Sequence, residues 1–442
     1  MSIFKKILES LLKQIGVIFQ KGGGNRFSTT MISIENIVAS PGEKVSGNAP
    51  ILTSDGNEMI ENSNIPITII NGIEDGPTVL VLSGIHGSEY IPIMASQKLA
   101  NDLDPSNLRG AVILVHIANL PAYLGRTIYS SPVDGKNLNR VFPGKANGSL
   151  TEKIANFLVE RVYPVADYAL DIHSGDGNEK LGPSYSAYYG KAGSPEVIQK
   201  SKDMAFAFGF DLVVEFQWEL LGTNISKAIW AGSAAVVRGI PSIDVEMAPG
   251  MGSSDSDSID EACEGVLRVL DHLGISIQAE EDNVVQDEPC LVKERYFIDA
   301  PMDGSWVSLV DTETFITQGT SLGYMTDFFG RNRIFEAVAP SDGLVIIRFD
   351  SPPVLEGDTL AVIAGLNSSD SACTRLKRNM LPENSLKIVP MKSLLRWKMV
   401  AISGWFLAIG LGILIGMKRK KISKNDAQAT ISEMEKSDAR IV

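Results

Sequence analysis

Several short apolar runs in this chain end in glycine or in a side chain able to bind a metal, and this pattern constrains the fold more than any other feature. Val79-Leu80-Val81-Leu82 leads into Ser83-Gly84-Ile85-His86-Gly87-Ser88-Glu89, Asp167 to Ile172 leads into His173-Ser174-Gly175, and Pro241 to Val245 leads into Glu246. Runs of this length, rich in leucine and β-branched residues and bounded by glycine, read as strands. A helix-like stretch from Tyr90 to Leu103 follows the first of them. Strands alternating with helices predict an α/β fold, and open α/β sheets carry their sites outside the carboxyl ends of the strands.

The residue types at those ends point to one site. His86 and Glu89 lie three residues apart, close enough on one turn to bind the same cation, and His173 supplies a remote third donor. A His2Glu set leaves a fourth position for water, which is the catalytic type of zinc site, whereas structural zinc sites are usually closed by four protein ligands. Glu246 ends its own strand without belonging to the ligand set, so it is the candidate general base for water and proton donor to a leaving nitrogen. Arg126 follows Gly125, and Arg140 closes Gly135-Lys136-Asn137-Leu138-Asn139-Arg140. A guanidinium in either place can grip a carboxylate bidentately or stabilise an oxyanion.

Taken together, His86-x-x-Glu89, Asn137-Leu138-Asn139-Arg140-Val141-Phe142-Pro143-Gly144, Asp171-Ile172-His173 and Val245-Glu246 resemble the succinylglutamate desuccinylase/aspartoacylase family of the zinc carboxypeptidase superfamily. The likeness covers roughly residues 45 to 365. It implies a mixed open sheet flanked by helices, followed by a small all-β sandwich, and a hydrolase that removes an acyl group from the nitrogen of an N-acyl amino acid or related small amide. It further implies one Zn2+ per chain held by His86, Glu89 and His173, with Arg126 as carbonyl polariser, Asn139 and Arg140 as binders of a substrate carboxylate, and Glu246 as base. The long form with an extra β domain is similar to deacylases of small N-acetylated diamino acids. A metallocarboxypeptidase trimming peptides and a membrane-tethered, non-enzymatic binding protein are the competing readings.

Each residue also has a plainer explanation. A lone His-x-x-Glu is common, and Glu246 could cap a strand or pair with an arginine. Arg140 could bridge to Asp134, and Asn137 or Asn139 could serve the turn begun at Pro132-Val133-Asp134-Gly135. His116, inside Ala111 to Ile117, reads as a core or strand-end histidine. His272 reads as the end of a helix over 259–273 stopped by Gly274, where a partly positive imidazole complements the dipole.

At 442 residues the chain is too long for one ordinary core. We expect an amphipathic helix and glycine hinge over 1–24, the catalytic domain over 25–280, a β-sandwich of duplicated halves over 285–366, a linker over 367–398, a transmembrane helix over 399–417 and a polar tail over 418–442. The net charge of −13 argues against a nucleic-acid partner. Cys263, Cys290 and Cys373 form no zinc-like pair, and three cysteines cannot all be bridged to one another, which suits a reducing compartment.

Met399 to Met417 carries no charged side chain and would span about 28 Å as a helix, near the ~30 Å hydrocarbon thickness. With basic flanks on both sides, it predicts a single-pass protein in contact with membrane lipid and with its catalytic domain facing the cytoplasm. Ala408, Gly412 and Gly416 would let such helices pair into a homo-oligomer.

Ahead of that segment, Ala300-Pro301-Met302-Asp303-Gly304 recurs as Ala339-Pro340-Ser341-Asp342-Gly343, and Gln318 to Leu322 recurs as Glu356 to Leu360, at offsets of 39 and 38. This duplication resembles biotinyl and lipoyl domains. The expected hairpin, Asp327 to Arg333, holds no lysine for a carrier group, so a structural or substrate-gating role is expected.

Overall fold

The computed structural model describes residues 30–52, 63–217, 227–276, 287–367 and 369–380. A ribbon of β1 (Ile32–Ile34) and β2 (Ile37–Ala39) precedes β3 (Lys44–Ala49), β4 (Ile65–Asn71), β5 (Glu74–Ser83), helix α1 (Tyr90–Asp102) and β6 (Arg109–Val115). Helices α2 (Leu120–Gly125) and α3 (Leu150–Phe157) lead to β7 (Tyr168–Ser174), β8 (Glu179–Leu181) and β9 (Tyr185–Tyr189). Then come α4 (Pro195–Phe208), β10 (Leu212–Phe216), α5 (Ala231–Val236), β11 (Ser242–Met247), α6 (Ser256–His272) and β12 (Cys290–Val292).

Nine of these strands form one sheet in the order β12-β10-β9-β11-β7-β5-β6-β4-β3. Its centre, β6-β5-β7-β11, is parallel, while β4 and β9 run against their inner neighbours β6 and β11, so the sheet is mixed. Apolar side chains cover both faces of β5 and β6. Val79, Val81, Val112 and Leu114 pack with α1 and α6 on one side, and Leu80, Leu82, Ile113 and Val115 pack in a second core on the other. Strands covered on both faces read as continuous apolar runs, which is why Val79 to Leu82 is so plain in the sequence.

Strands β7 and β11 differ. Leu170 and Ile172 on β7, with Ile243, Val245 and Met247 on β11, enter the core beneath α6. The alternate positions Asp171, His173, Asp244 and Glu246 therefore share the opposite face, because strand side chains alternate. Each fully buried Leu, Ile or Val contributes about 1.5–3 kcal/mol, so the inward residues hold the polar ones in place.

The C-terminal β region contains β13 (Glu294–Asp299), β14 (Gly304–Ser308), β15 (Phe315–Ile316), β16 (Ser321–Thr326), β17 (Arg333–Val338), β18 (Gly343–Phe349), β19 (Pro353–Val354) and β20 (Thr359–Gly365). One sheet runs β13-β20-β18-β15 and the other β17-β16-β14-β19. Exchanging the first four strands for the last four converts one order into the other, so the repeat is built as two interleaved halves around a shared core that includes Trp306, Leu322, Val345 and Leu360. Gly304 and Gly343 open equivalent strands. Strand β8 also pairs with β18, placing Leu181 opposite Ile347 and Glu179 opposite Phe349, which ties this region to the segment after β7.

Three expectations require correction. Among the described residues no helix is long and apolar enough to cross a membrane, so the single-pass placement with a cytoplasmic catalytic domain is withdrawn, and with it the lipid contact and the pairing of spans. The segment expected to span, 399–417, and the expected amphipathic helix over 1–24 lie outside the described residues. Within the expected linker 367–398, helix α7 (Ser371–Met380) buries Ala372, Cys373 and Leu376, and Cys373 forms a disulfide with Cys290 of β12 across a separation of 83 residues. Only Cys263 remains a free, buried thiol, contrary to the expectation of three reduced cysteines.

Candidate metal and active site

The loop after β5 is shaped by two glycines. Gly84 has φ +69, and a Cβ there would stand 2.9 Å from the Cα of Ile117; at Gly87 a Cβ would stand 2.2 Å from the carbonyl carbon of Ala122. The loop thus presses against backbone and can turn His86 and Glu89 inward. Glu89 occupies the N-cap of α1 but makes no capping hydrogen bond, because its carboxylate faces the histidines instead.

His86 Nδ1 lies 2.7 Å from Glu89 Oε1, and His173 Nδ1 lies 2.9 Å from Glu89 Oε2. Ligand atoms of these three buried residues all fall within 4.8 Å of one another. The outer ring nitrogens are also held. His86 Nε2 meets Asn137 Oδ1 at 3.1 Å, and His173 Nε2 meets Asp171 Oδ2 at 3.2 Å. Outer partners of this kind orient ligating imidazoles and set their tautomer.

Charge gives the same answer as geometry. Burial opposes protonation of His86, yet the carboxylates of Asp176 and Glu89 raise its pKa to about 9, and Asp171 and Glu89 carry His173 well above the ordinary histidine value despite its burial. Burial would raise Glu89, but the two imidazoles hold it down at about 2. The cluster therefore calls for positive charge at its centre. One divalent cation between neutral imidazoles supplies that charge, and two nitrogens with a carboxylate suit zinc.

Glu246 stands beside this centre. In register β11 pairs it with His173 on β7, and on its other side with Tyr185 of β9. Burial first, and then the carboxylates of Glu89, Glu179 and Asp244, push Glu246 up to about 8, with His173 opposing. Asp244, buried and next to Asp171, is pushed up to about 7 and accepts a hydrogen bond from Tyr189.

A cavity of about 240 Å³ opens over the cluster, lined by His86, Glu89, His173, Glu246, Asn139 and Arg140 among others. Asn139 is anchored by accepting a hydrogen bond from the Ala231 amide at 2.8 Å, and Arg140 donates to the Asn139 carbonyl. Asn137 serves the turn, accepting from the Asn139 amide, while Asp134 binds Thr151 rather than Arg140.

Arg126 is the exception among the expected residues. It adopts φ 52 at the left-handed C-cap of α2, is exposed, and does not line the cavity. His116 is a strand-end histidine as expected, held between Thr68 and Ser96, and His272 ends α6.

Tyr129, Asp176, Glu179, Tyr185, Asp244 and Arg295 also line the cavity, and Asp171 borders His173, although no sequence motif assigns any of them a role. Asp176 accepts a hydrogen bond from Ser88 at 2.8 Å and lies 3.3 Å from His86 Nδ1, while Glu179 accepts from Tyr129 at 2.7 Å. Asp171 and Asp244 carried a legible signal, the strict polar alternation of Asp171-Ile172-His173 and Asp244-Val245-Glu246. The others depend on tertiary pairing.

A buried His2Glu cluster with a non-ligating glutamate at the carboxyl edge of an α/β sheet is the kind of centre that activates water against a carbonyl. Residues 75–273 match the model of the succinylglutamate desuccinylase/aspartoacylase catalytic domain. The chain is 32% identical over 312 residues to an N-alpha-acetyl-L-2,4-diaminobutyric acid deacetylase of Halomonas elongata, covering 68% of this chain and 85% of that protein. Among solved structures, a succinylglutamate desuccinylase/aspartoacylase from Rhodobacter sphaeroides aligns with TM-score 0.63 and 26% identity, covering 77% of this chain and all of that one. The product-bound ectoine utilization protein EutE (DoeB) from Ruegeria pomeroyi gives 0.63 and 27%, covering 77% and 99%. The chain belongs to the succinylglutamate desuccinylase/aspartoacylase family.

Proposed function

We propose that this protein is a zinc-dependent deacylase that hydrolyses the amide of a small N-acyl amino acid. The observation that carries the reading is the convergence of His86, Glu89 and His173 on one point with Glu246 on the adjacent strand. Bound zinc would polarise the acyl oxygen and make water a stronger acid. A cation held beside it would favour the ionised form of Glu246, whose carboxylate takes a proton from the attacking water and returns it to the amide nitrogen as the carbon–nitrogen bond breaks, leaving a carboxylate and a free amine. Arg140 and Asn139 hold a carboxylate of the substrate, which fixes the amide over the cluster. Asn137 and Asp171 keep the two imidazoles turned inward. No step is assigned to Arg126, which sits outside the cavity.

Size favours a small substrate over a peptide. The cavity of about 240 Å³ lies below the roughly 300–1,000 Å³ typical of drug-sized ligands, and Phe297 and Ile347 of the β region wall one side. The test is metal analysis of the purified protein, then turnover of zinc-loaded enzyme on N-acyl amino acids, including N-acetyl-2,4-diaminobutyrate, and on peptides. Stoichiometric zinc with release of free amino acid is the expected result. Turnover of peptides alone would favour the carboxypeptidase reading, and a metal-free, inert protein would sink both.

A further inference from the structure

We propose that Arg295, contributed to the cavity by the β region, is a specificity-determining residue that grips a second anionic group of the substrate, borne either by the acyl group or by the amino-acid side chain. This rests on the deacylase reading for the identity of the ligand. Along β13 the side chains alternate: Tyr296 and Ile298 pack against the core of the β region, while Arg295 and Phe297 line the cavity that holds His86, Glu89, His173 and Glu246. The Arg295 guanidinium lies 4.4 Å from the ring centre of Phe216 and 5.2 Å from that of Phe297, so two aromatic faces set its plane. It also stands beside the Tyr185 hydroxyl, and Tyr185 is the cross-strand partner of Glu246.

The cavity therefore has two guanidinium groups on different walls. Arg140 is set among Tyr189, Glu179, Asp176 and Tyr129, and Arg295 among Tyr185, Phe216 and Phe297. Among the described residues neither makes an ion pair with a carboxylate; Arg295 is half-buried, whereas Arg140 is exposed. Arg295 shares a hydrogen bond with the Tyr185 hydroxyl but has no carboxylate on it, and a half-buried, stacked guanidinium of this kind is a preorganised carboxylate receptor. With Arg140 on the carboxylate next to the scissile amide, Arg295 is left to read a second charge. A guanidinium that served only to dock the β region on Phe216 would be indifferent to substrate charge.

The experiment compares near-isosteric pairs: N-acetylglutamate with N-acetylglutamine for a side-chain charge, and N-succinylalanine with N-succinamoylalanine for an acyl charge. Affinities are measured by calorimetry on zinc-loaded protein in a Glu246→Gln background, with and without Arg295→Gln or Arg295→Lys. The parent should prefer the dianionic member of at least one pair. Arg295→Gln should erase about 10- to 100-fold of that preference, leave the monoanionic amide member within about twofold, and be partly rescued by lysine. The pair that responds identifies where the charge sits. Because each preference is a ratio within one preparation, a folding defect does not mimic it. An unchanged ratio in Arg295→Gln, or no preference in the parent, overturns the inference. Should the selectivity hold while enzyme with intact Glu246 releases amine from none of the four compounds, the deacylase reading fails and the role of Arg295 in binding stands.

Discussion

Replacing Glu246 with glutamine separates a catalytic carboxylate from a structural one, because the two roles predict opposite changes in activity and stability. Glutamine keeps the size of the side chain, so it opens no cavity, and the backbone pairing of β11 with β7 and β9 is untouched. Among the described residues no hydrogen bond or ion pair engages the Glu246 carboxylate, which faces the cavity. There is thus no interaction whose loss would cost the usual 1–3 kcal/mol of a broken buried hydrogen bond. Stability should therefore stay within about 1 kcal/mol of the parent. Catalysis should fall by about 10²- to 10⁴-fold in kcat, the typical contribution of general acid–base chemistry and equivalent to roughly 3–5.5 kcal/mol on the barrier. The assay is kcat and KM on zinc-loaded enzyme, with metal content and a urea melt on the same preparation. A loss below tenfold with zinc retained refutes the role as base, and a stability loss above about 2 kcal/mol alongside the lost activity refutes the claim that nothing structural leans on this side chain.

Gly87→Ala should weaken zinc binding at least tenfold in a chelator competition, since a Cβ 2.2 Å from the Ala122 backbone must push the loop carrying His86 and Glu89 outward; unchanged affinity would show that the loop is not held by that contact. Arg126→Ala should change kcat/KM by less than about tenfold, because the side chain lies outside the cavity, and a loss above 100-fold would put it on the substrate after all. His116, buried between Thr68 and Ser96, has its pKa lowered by burial from 6.5 to about 4, so the unfolded chain takes up its proton first and stability is lost as pH falls from about 6.5 toward about 4. Between pH 7.5 and pH 5 this contributes about 2 kcal/mol of lost stability in urea melts, and His116→Gln should lack that component; an equal loss in the variant would assign the pH dependence to other groups.

What the sequence made legible follows from the range over which each signal acts. The strand at Val79 to Leu82, the helix from Tyr90 and the donors His86, Glu89 and His173 were readable because each is encoded within a few residues, by an apolar run, a helical period or a terminal polar side chain. The β duplication was readable because two segments nearly forty residues apart repeat the same turn chemistry, yet its interleaving, with two strands of each half in either sheet, is a pairing choice that no single segment records. Arg126 shows the reverse case: a residue placed by motif, whose left-handed backbone at the end of α2 turns it to solvent. Cys290 and Cys373 are brought together only when α7 folds back on β12, so composition alone suggested free thiols. Glu179 reaches the cavity because β8 pairs with β18, and Arg295 because β13 lies along the same opening. The chemistry common to a family is thus written in short motifs on the central strands, while the groups able to tell one substrate from another are delivered by contacts between distant parts of the chain, and these are the ones a single sequence conceals.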